Sequence, residues 1–480
     1  FLDVMSQGVF EAGKGLIKEQ VFGLSPYRLF TTIIPEPVLK KKVSPVRFIV
    51  LSFLVIIFLG SLFLSSSLAH NEGKDVNYID ALFTATSATT VTGLVVVDTA
   101  DTYNWFGQVI ILVLISLGGL GYMTILSFFF MGSKFMPLRQ ATFVKEQLNL
   151  PSIGDILTLA KRVFLTVAVF EFAGAFILTM FWWQSVDFFS AVWRGIFHSV
   201  SAFNNAGFDL MGSFRGLTEY VSNPLVSIVI MILIVAGGLG FFVISDLISF
   251  ATGVKRTGFS LHTKIVLSTS LILIIAGAIF IYSFESNNRD TIYPLDFGDK
   301  VLASTFHSVS ARTAGFNTLD MSKLTIPTLL ILIILMFIGA SPGGTGGGVK
   351  TTTFSIAVLS FFALLKQKEG AEAFNRRIST EAVEKSFILI MFSLLIVFSA
   401  TLIMTYVDDF PLHKILFETF SAFGTVGLST GITAQLSDLS KWVIMILMYI
   451  GRIGPLTLIS MITWAHRSKV NYLEEQVTVG

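Results

Sequence analysis

The chain has no cysteine among its 480 residues. That excludes a disulfide framework, a thiol nucleophile and any cysteine-ligated zinc or iron–sulfur centre. Charge is also scarce: 13% of residues are Asp, Glu, Lys or Arg, about half the roughly 25% of an ordinary soluble domain. The formal net charge of +2 leaves no basic face large enough for nucleic acid, so no such partner is expected. Apolar residues make up 53% of the chain, with 47 Phe and a mean hydropathy of +0.77. A water-soluble domain is excluded, and the chain reads as an all-α membrane protein embedded in a lipid bilayer.

A spanning helix needs about 20 mostly apolar residues. Eight runs qualify: 46–69, 104–131, 158–183, 222–250, 262–284, 322–365 (interrupted), 380–407 and 437–465. Lipid offers no hydrogen bonds, so each must close its own backbone as a helix. The alternating segments of about 10 residues that mark a β-barrel are absent. Residues 1–45 do not resemble a signal peptide, because Glu11, Lys14, Lys18 and Glu19 interrupt any apolar core. They read as a cytoplasmic amphipathic arm. Of the 33 Lys and Arg, 22 fall on the side of both termini and nine on the other, so both termini, including the tail 466–480, are expected in the cytoplasm. The outer side carries 17 Asp and Glu, an excess that concentrates cations there.

The outer connections carry a motif in four copies: 81–93 (ALFTATSATTVTG), 195–207 (GIFHSVSAFNNAG), 304–315 (STFHSVSARTAG) and 416–427 (LFETFSAFGTVG). Each has a Phe near its start (Phe83, Phe197, Phe306, Phe417), a Ser-Ala pair and a terminal Gly (Gly93, Gly207, Gly315, Gly427). The third copy is one residue shorter between Phe and Gly. Such stretches are too short to cross and too apolar for plain loops, so they read as re-entrant segments. The eight runs then divide into four span–pore-helix–span units at 46–131, 158–250, 262–365 and 380–465.

Four short helices entering from outside would aim their C-terminal ends, each carrying about half a negative charge, at one midplane. Extended backbone beyond them is tolerated only where protein or water surrounds it. Its carbonyls can replace the hydration shell of a cation. Glycine suits that strand because it tolerates positive φ and adds no Cβ to the path. The expected filter residues are Thr90, Val91, Thr92 and Gly93; Asn205, Ala206 and Gly207; Thr313, Ala314 and Gly315; and Thr425, Val426 and Gly427.

These loops (ATTVTG, SAFNNAGF, RTAGFNT and FGTVGLS) resemble the four filter loops of the Trk/Ktr/HKT superfamily of potassium transporters, within it those of KtrB- and TrkH-type bacterial subunits. The resemblance covers about 46–465. It implies a single chain folded like a potassium-channel tetramer in a bacterial plasma membrane. Glycine in all four loops is similar to the potassium-selective members. Potassium is then substrate, not cofactor, and no covalent cofactor is expected. The resemblance further implies a homodimer and a cytosolic nucleotide-binding regulatory ring. The tail after Trp464 has 16 residues, so a separate chain is expected to supply that ring.

The sixth run contains IGASPGGTGGGVKTTT at 338–353. Proline costs a helix about 3 kcal/mol and each glycine about 1, so the helix must break at membrane depth. The expected gate comprises Gly343, Gly344, Thr345, Gly346, Gly347, Gly348 and Lys350. A phosphate loop is a poor reading, because Val349 separates Gly348 from Lys350 and no strand precedes it. Arg452, inside the last run, costs at least about 2.5–3.5 kcal/mol at a helix centre and should mark the ion path. The resemblance implies the same two elements: an intramembrane loop that obstructs the pore and an arginine barrier below the filter. Glu171, Asp98 and Asp320 are weaker candidates. GGLG at 118–121 and 237–240 reads as a helix-packing motif. His198-Ser199 and His307-Ser308 could suggest an intramembrane hydrolase, but helix neighbours point apart. A sodium or sodium-coupled transporter on the same scaffold is the closest alternative, and a non-conducting receptor the most distant.

Overall fold

The structure, a computed structural model, describes residues 45–132, 154–253, 258–455 and 457. The expected arm, except its last residue, and the expected tail lie outside the described residues. The chain divides at Phe48 and Ile49 into a short N-terminal unit and a main unit, and the main unit is described below.

Helix α1 spans Pro45–Leu64, α2 Tyr78–Thr90, α3 Trp105–Gly132, α4 Gly154–Trp182 and α5 Phe188–Phe203. Next come α6 Pro224–Gly238, α7 Phe241–Ala251, α8 Leu261–Glu285, α9 Phe297–Ser310 and α10 Ile326–Phe337. The last four are α11 Thr351–Leu365, α12 Thr380–Val407, α13 Leu412–Gly424 and α14 Asp438–Ile453. A small antiparallel hairpin pairs Glu372 with Arg377 and Ala373 with Arg376 between α11 and α12. Short polar side chains start several helices: Asp187 accepts the Ser190 N–H, Asn223 that of Val226, and Ser379 that of Ala382.

Among the described residues, the helical stretches Arg162–Trp182, Leu261–Glu285 and Thr380–Val407 are each long and apolar enough to cross a bilayer. Phe172, Phe176, Ile272, Met391, Leu395 and Leu402 on these helices are 64–77% exposed. A band of large apolar groups turned outward suits hydrocarbon, not water.

One expected span needs correction. The run 222–250 is not a single helix: α6 and α7 meet at a bend of 101°. Gly240 there adopts φ 90° and ψ 140°, a conformation only glycine takes without strain. The run 322–365 is likewise two helices, with residues 338–350 non-helical between α10 and α11.

The four motif copies form α2, α5, α9 and α13 and the strands that follow. Their phenylalanines Phe83, Phe197, Phe306 and Phe417 are fully buried. Helix α2 packs on α3, α5 on α4, α9 on α8, and α13 on α14. Further contacts join α3 to α5, α6 to α9, α10 to α13, and α14 back to α2. The packing therefore closes on itself.

Candidate functional site

Each motif helix ends in the same way. Val91, Asn205, Thr313 and Thr425, each two residues before a motif glycine, take φ of 57°, 58°, 73° and 49°. Three of them are β-branched, for which the left-handed region is a genuine outlier. It costs roughly 1–2 kcal/mol per residue. Gly93, Gly207, Gly315 and Gly427 then take φ of 90°, 71°, 80° and 95°. Strain at four equivalent positions persists only where the surroundings hold it.

The serine of each Ser-Ala pair does that holding. The carbonyls of Ser87, Ser201, Ser310 and Ser421 accept the N–H groups of Thr92, Ala206, Ala314 and Val426 at 2.7–2.9 Å. The hydroxyls of Ser87 and Ser421 accept the N–H of Gly93 and Gly427 at 3.0 and 3.1 Å. The hydroxyls of Ser201 and Ser310 donate to the Phe208 and Phe316 carbonyls. The recurring pair was visible in the sequence; its task as a backbone clamp was not.

The four glycines meet in a ring. A Cβ added to Gly93 would lie 3.0 Å from the Gly207 Cα, one on Gly207 2.9 Å from that of Gly315, one on Gly315 3.2 Å from that of Gly427, and one on Gly427 3.0 Å from that of Gly93. The nearest atoms to these added Cβ atoms are the carbonyl oxygens of Ala206, Ala314, Val426 and Thr92 in the same order. Each such oxygen belongs to the residue before the neighbouring glycine. Carbonyl oxygens thus alternate with glycines around one small circle, and no side chain fits between them.

The stretch 338–350 lies directly against three of the motif copies. The Gly347 N–H donates to the Thr425 hydroxyl at 2.9 Å, and the Thr345 hydroxyl donates to the Phe203 carbonyl at 3.2 Å. A Cβ on Gly346 would strike the Thr313 hydroxyl. The α6–α7 bend holds the other flank: Ser341 and Thr345 donate to the Gly238 and Gly237 carbonyls, and Phe241 to that of Gly343, at 3.0–3.1 Å. Gly343 and Gly348 take φ of 72° and 69°. Gly344 packs with its added Cβ position 2.9 Å from the Gly238 carbonyl.

Two cations fasten this stretch. Lys350 Nζ donates to the Gly346 carbonyl at 2.7 Å. Arg452 donates through Nη1 to Thr345, and through Nη2 to the Gly118 carbonyl and to that of Gly119 at 2.9 Å. Their acceptors are backbone carbonyls, a usual accommodation of a cation at membrane depth.

Residues 28–471 match the family model of the TrkH cation transport proteins. The chain belongs to this family. It is 38% identical over 441 residues to the Ktr system potassium uptake protein B of Bacillus subtilis, covering 92% of this chain and 97% of that protein. It is 37% identical over 450 residues to the potassium/sodium uptake protein NtpJ of Enterococcus hirae, covering 92% and 98%. The solved potassium transporter TrkH from Vibrio parahaemolyticus shares the fold, with a TM-score of 0.69 over 88% of this chain and 86% of that one at 17% identity.

The remaining candidates have local structural bonds. Glu171 accepts the Asn204 side-chain amide at 2.8 Å, bracing the end of α5. Asp98 caps the turn at 99–102 and accepts the Phe214 N–H at 2.7 Å. Asp320 accepts the Ser322 N–H and pairs with Lys323 at 3.5 Å. The His-Ser pairs lack a base-to-nucleophile contact: Ser199 donates to the Glu171 carbonyl and Ser308 to that of Ile274, while the imidazoles bond elsewhere. In GGLG, Gly118 and Gly237 admit the Thr89 and Phe203 carbonyls, and the second copy also supplies the bend. Arg312, counted by sequence with the outer bases, is buried beside Thr313 and donates to the Ser270 hydroxyl at 3.2 Å. Two residues past Gly207, burial pushes the half-buried Asp209 carboxyl up to about 6; the Met211 N–H opposes this and the Asp98 charge adds to it.

Proposed function

We propose that this chain is the membrane-embedded subunit of a bacterial potassium uptake system, in which potassium passes through the Gly93–Gly207–Gly315–Gly427 ring. The protein transports potassium, as its Ktr-type relatives do by name. The single observation that carries the route is the circular order of the four glycines, each next to a neighbouring carbonyl. Those carbonyls replace ion hydration, and four helix C-termini bias the site toward a cation. The membrane potential drives entry at about 2.3 kcal/mol per charge per 100 mV. The closed circuit of helix contacts supports four pseudo-repeats and eight spans, with α6 and α7 counted as one broken span. Under this reading the 343–348 loop, fastened by Lys350 and Arg452, is the gate beneath the filter.

Both termini face the cytoplasm by the distribution of Lys and Arg. The name "Ktr system" of the relative supports a multi-subunit assembly, here taken as a homodimer on a cytosolic nucleotide-binding ring. Nothing in this reading requires enzymatic chemistry. A sodium-carrying variant is favoured by one observation, the potassium/sodium name of the Enterococcus hirae relative. Rubidium-86 and sodium-22 uptake into proteoliposomes of the purified chain separates the two. Rubidium influx that excess potassium suppresses and sodium does not is the expected result. Sodium influx unaffected by potassium would reverse the assignment.

A further inference from the structure

The strand leaving each filter glycine also needs an anchor, because glycine backbone does not fix its own direction. Three copies supply one from the same place on the motif helix. His198 and Glu418 stand nine residues before their glycines, and His307 stands eight before in the copy that is one residue shorter. All three are 0–1% exposed. His198 Nδ1 lies 2.8 Å from the Arg194 carbonyl, which can only accept, so Nδ1 carries the proton and Nε2 a lone pair. That lone pair accepts the Leu210 N–H at 3.3 Å. His307 repeats the pattern, with Nδ1 2.9 Å from the Ala303 carbonyl and Nε2 accepting the Thr318 N–H at 3.4 Å.

Glu418 does the same with a carboxylate: Oε1 accepts the Thr430 N–H at 2.9 Å and the Ser429 hydroxyl at 2.7 Å, and Oε2 accepts the Thr433 hydroxyl at 2.7 Å. Leu210, Thr318 and Thr430 each lie three residues past their glycine. Two different side-chain chemistries therefore meet one requirement, a buried acceptor for one particular backbone N–H. Thr84 occupies the position in the first copy, and its hydroxyl turns back to the Asp80 carbonyl at 2.9 Å.

We propose that His198, His307 and Glu418 are positioning residues that fix the exit strands of the filter and thereby set its discrimination between potassium and sodium. The proposal rests on the filter reading above. Carbonyls that cannot follow the smaller ion inward are one means by which ions of one charge but different radius are told apart. A strand held by serine at its start and by these acceptors at its end is tethered on both sides of the glycine.

The test compares H198F, H307F and E418L, which keep bulk and remove the acceptor, with H198Q, H307Q and E418Q, which retain an acceptor oxygen. The phenylalanine and leucine variants are expected to lower the rubidium-to-sodium uptake ratio in proteoliposomes about tenfold, the effect of roughly 1.4 kcal/mol. The glutamine variants should keep the ratio near that of the unaltered chain. An unchanged ratio in the first set, or an equal fall in the second, would overturn the proposal. Hydrogen exchange of the unaltered protein in nanodiscs is a second readout independent of conduction and of variant folding. Slow exchange at Leu210, Thr318 and Thr430 is expected, and fast exchange there overturns the anchoring. An unaltered chain that carries no rubidium would instead overturn the filter reading.

Discussion

The guanidinium of Arg452 is hydrogen-bonded to the carbonyl of Thr345, 107 residues earlier in the chain. The same side chain reaches Gly118 and Gly119 on α3. One cation on α14 thus ties the glycine loop to α3, and its positive charge stands beside that loop.

Replacing Arg452 with Gln removes that charge and most of these bonds. The expected outcome is a several-fold rise in the initial rate of rubidium uptake, with rubidium still preferred over sodium. A lower rate with normal expression would mean that Arg452 supports the pathway and does not block it.

Deleting Gly343–Gly348 removes the segment that contacts Thr425 and lies against Thr313. Uptake through the shortened chain should be faster and insensitive to any regulatory subunit. A rate equal to that of the intact protein would remove the loop from the gate.

Gly207→Ala places a Cβ 2.8 Å from the Ala314 carbonyl and 2.9 Å from the Gly315 Cα, at a φ of 71°. The backbone penalty alone is about 1–2 kcal/mol. Uptake should fall at least about tenfold, or selectivity collapse, while the chain still inserts. Full activity in that variant would be incompatible with conduction through the ring.

Asp209 is a carboxylate whose pKa lies near 6, above the ordinary range, chiefly through burial. It is therefore charged at neutral pH and becomes neutral as external pH falls through about 6. On the proposed route, loss of that charge two residues past Gly207 weakens cation accumulation. Uptake from limiting potassium should drop over that interval, and D209N should flatten the step. A profile that D209N leaves unaltered would assign the titration to another group.

The parts of this site that were legible in the sequence are those where backbone geometry demands glycine or excludes a helix. Gly93, Gly207, Gly315 and Gly427 recur because positive φ and close approach coincide there. The segment 338–353 announces its break by composition. The left-handed turns at Val91, Thr313 and Thr425 were not legible, since β-branched residues ordinarily mark extended chain; the Ser-Ala clamps and the ring itself impose them. The α6–α7 bend was hidden because GGLG serves equally well for close packing, and Gly118 uses it that way without breaking α3. Glu418 drew no attention because its partners lie 11 to 15 residues onward, in a strand whose course only the folded chain reveals. The burial of Arg312 was not legible for a related reason: its partner Ser270 lies 42 residues earlier, on α8.

The contact of α14 with α2 has a consequence for biosynthesis. A ribosome releasing this polypeptide has finished three quarters of the ring long before Gly427 appears, and the wall is not sealed until α14 docks on a helix made near the beginning. If potassium passes through the ring, truncated or stalled products lack a continuous conduit. On the proposed route a half-made copy offers the cell no leak, because permeability arrives in one step, when α14 docks.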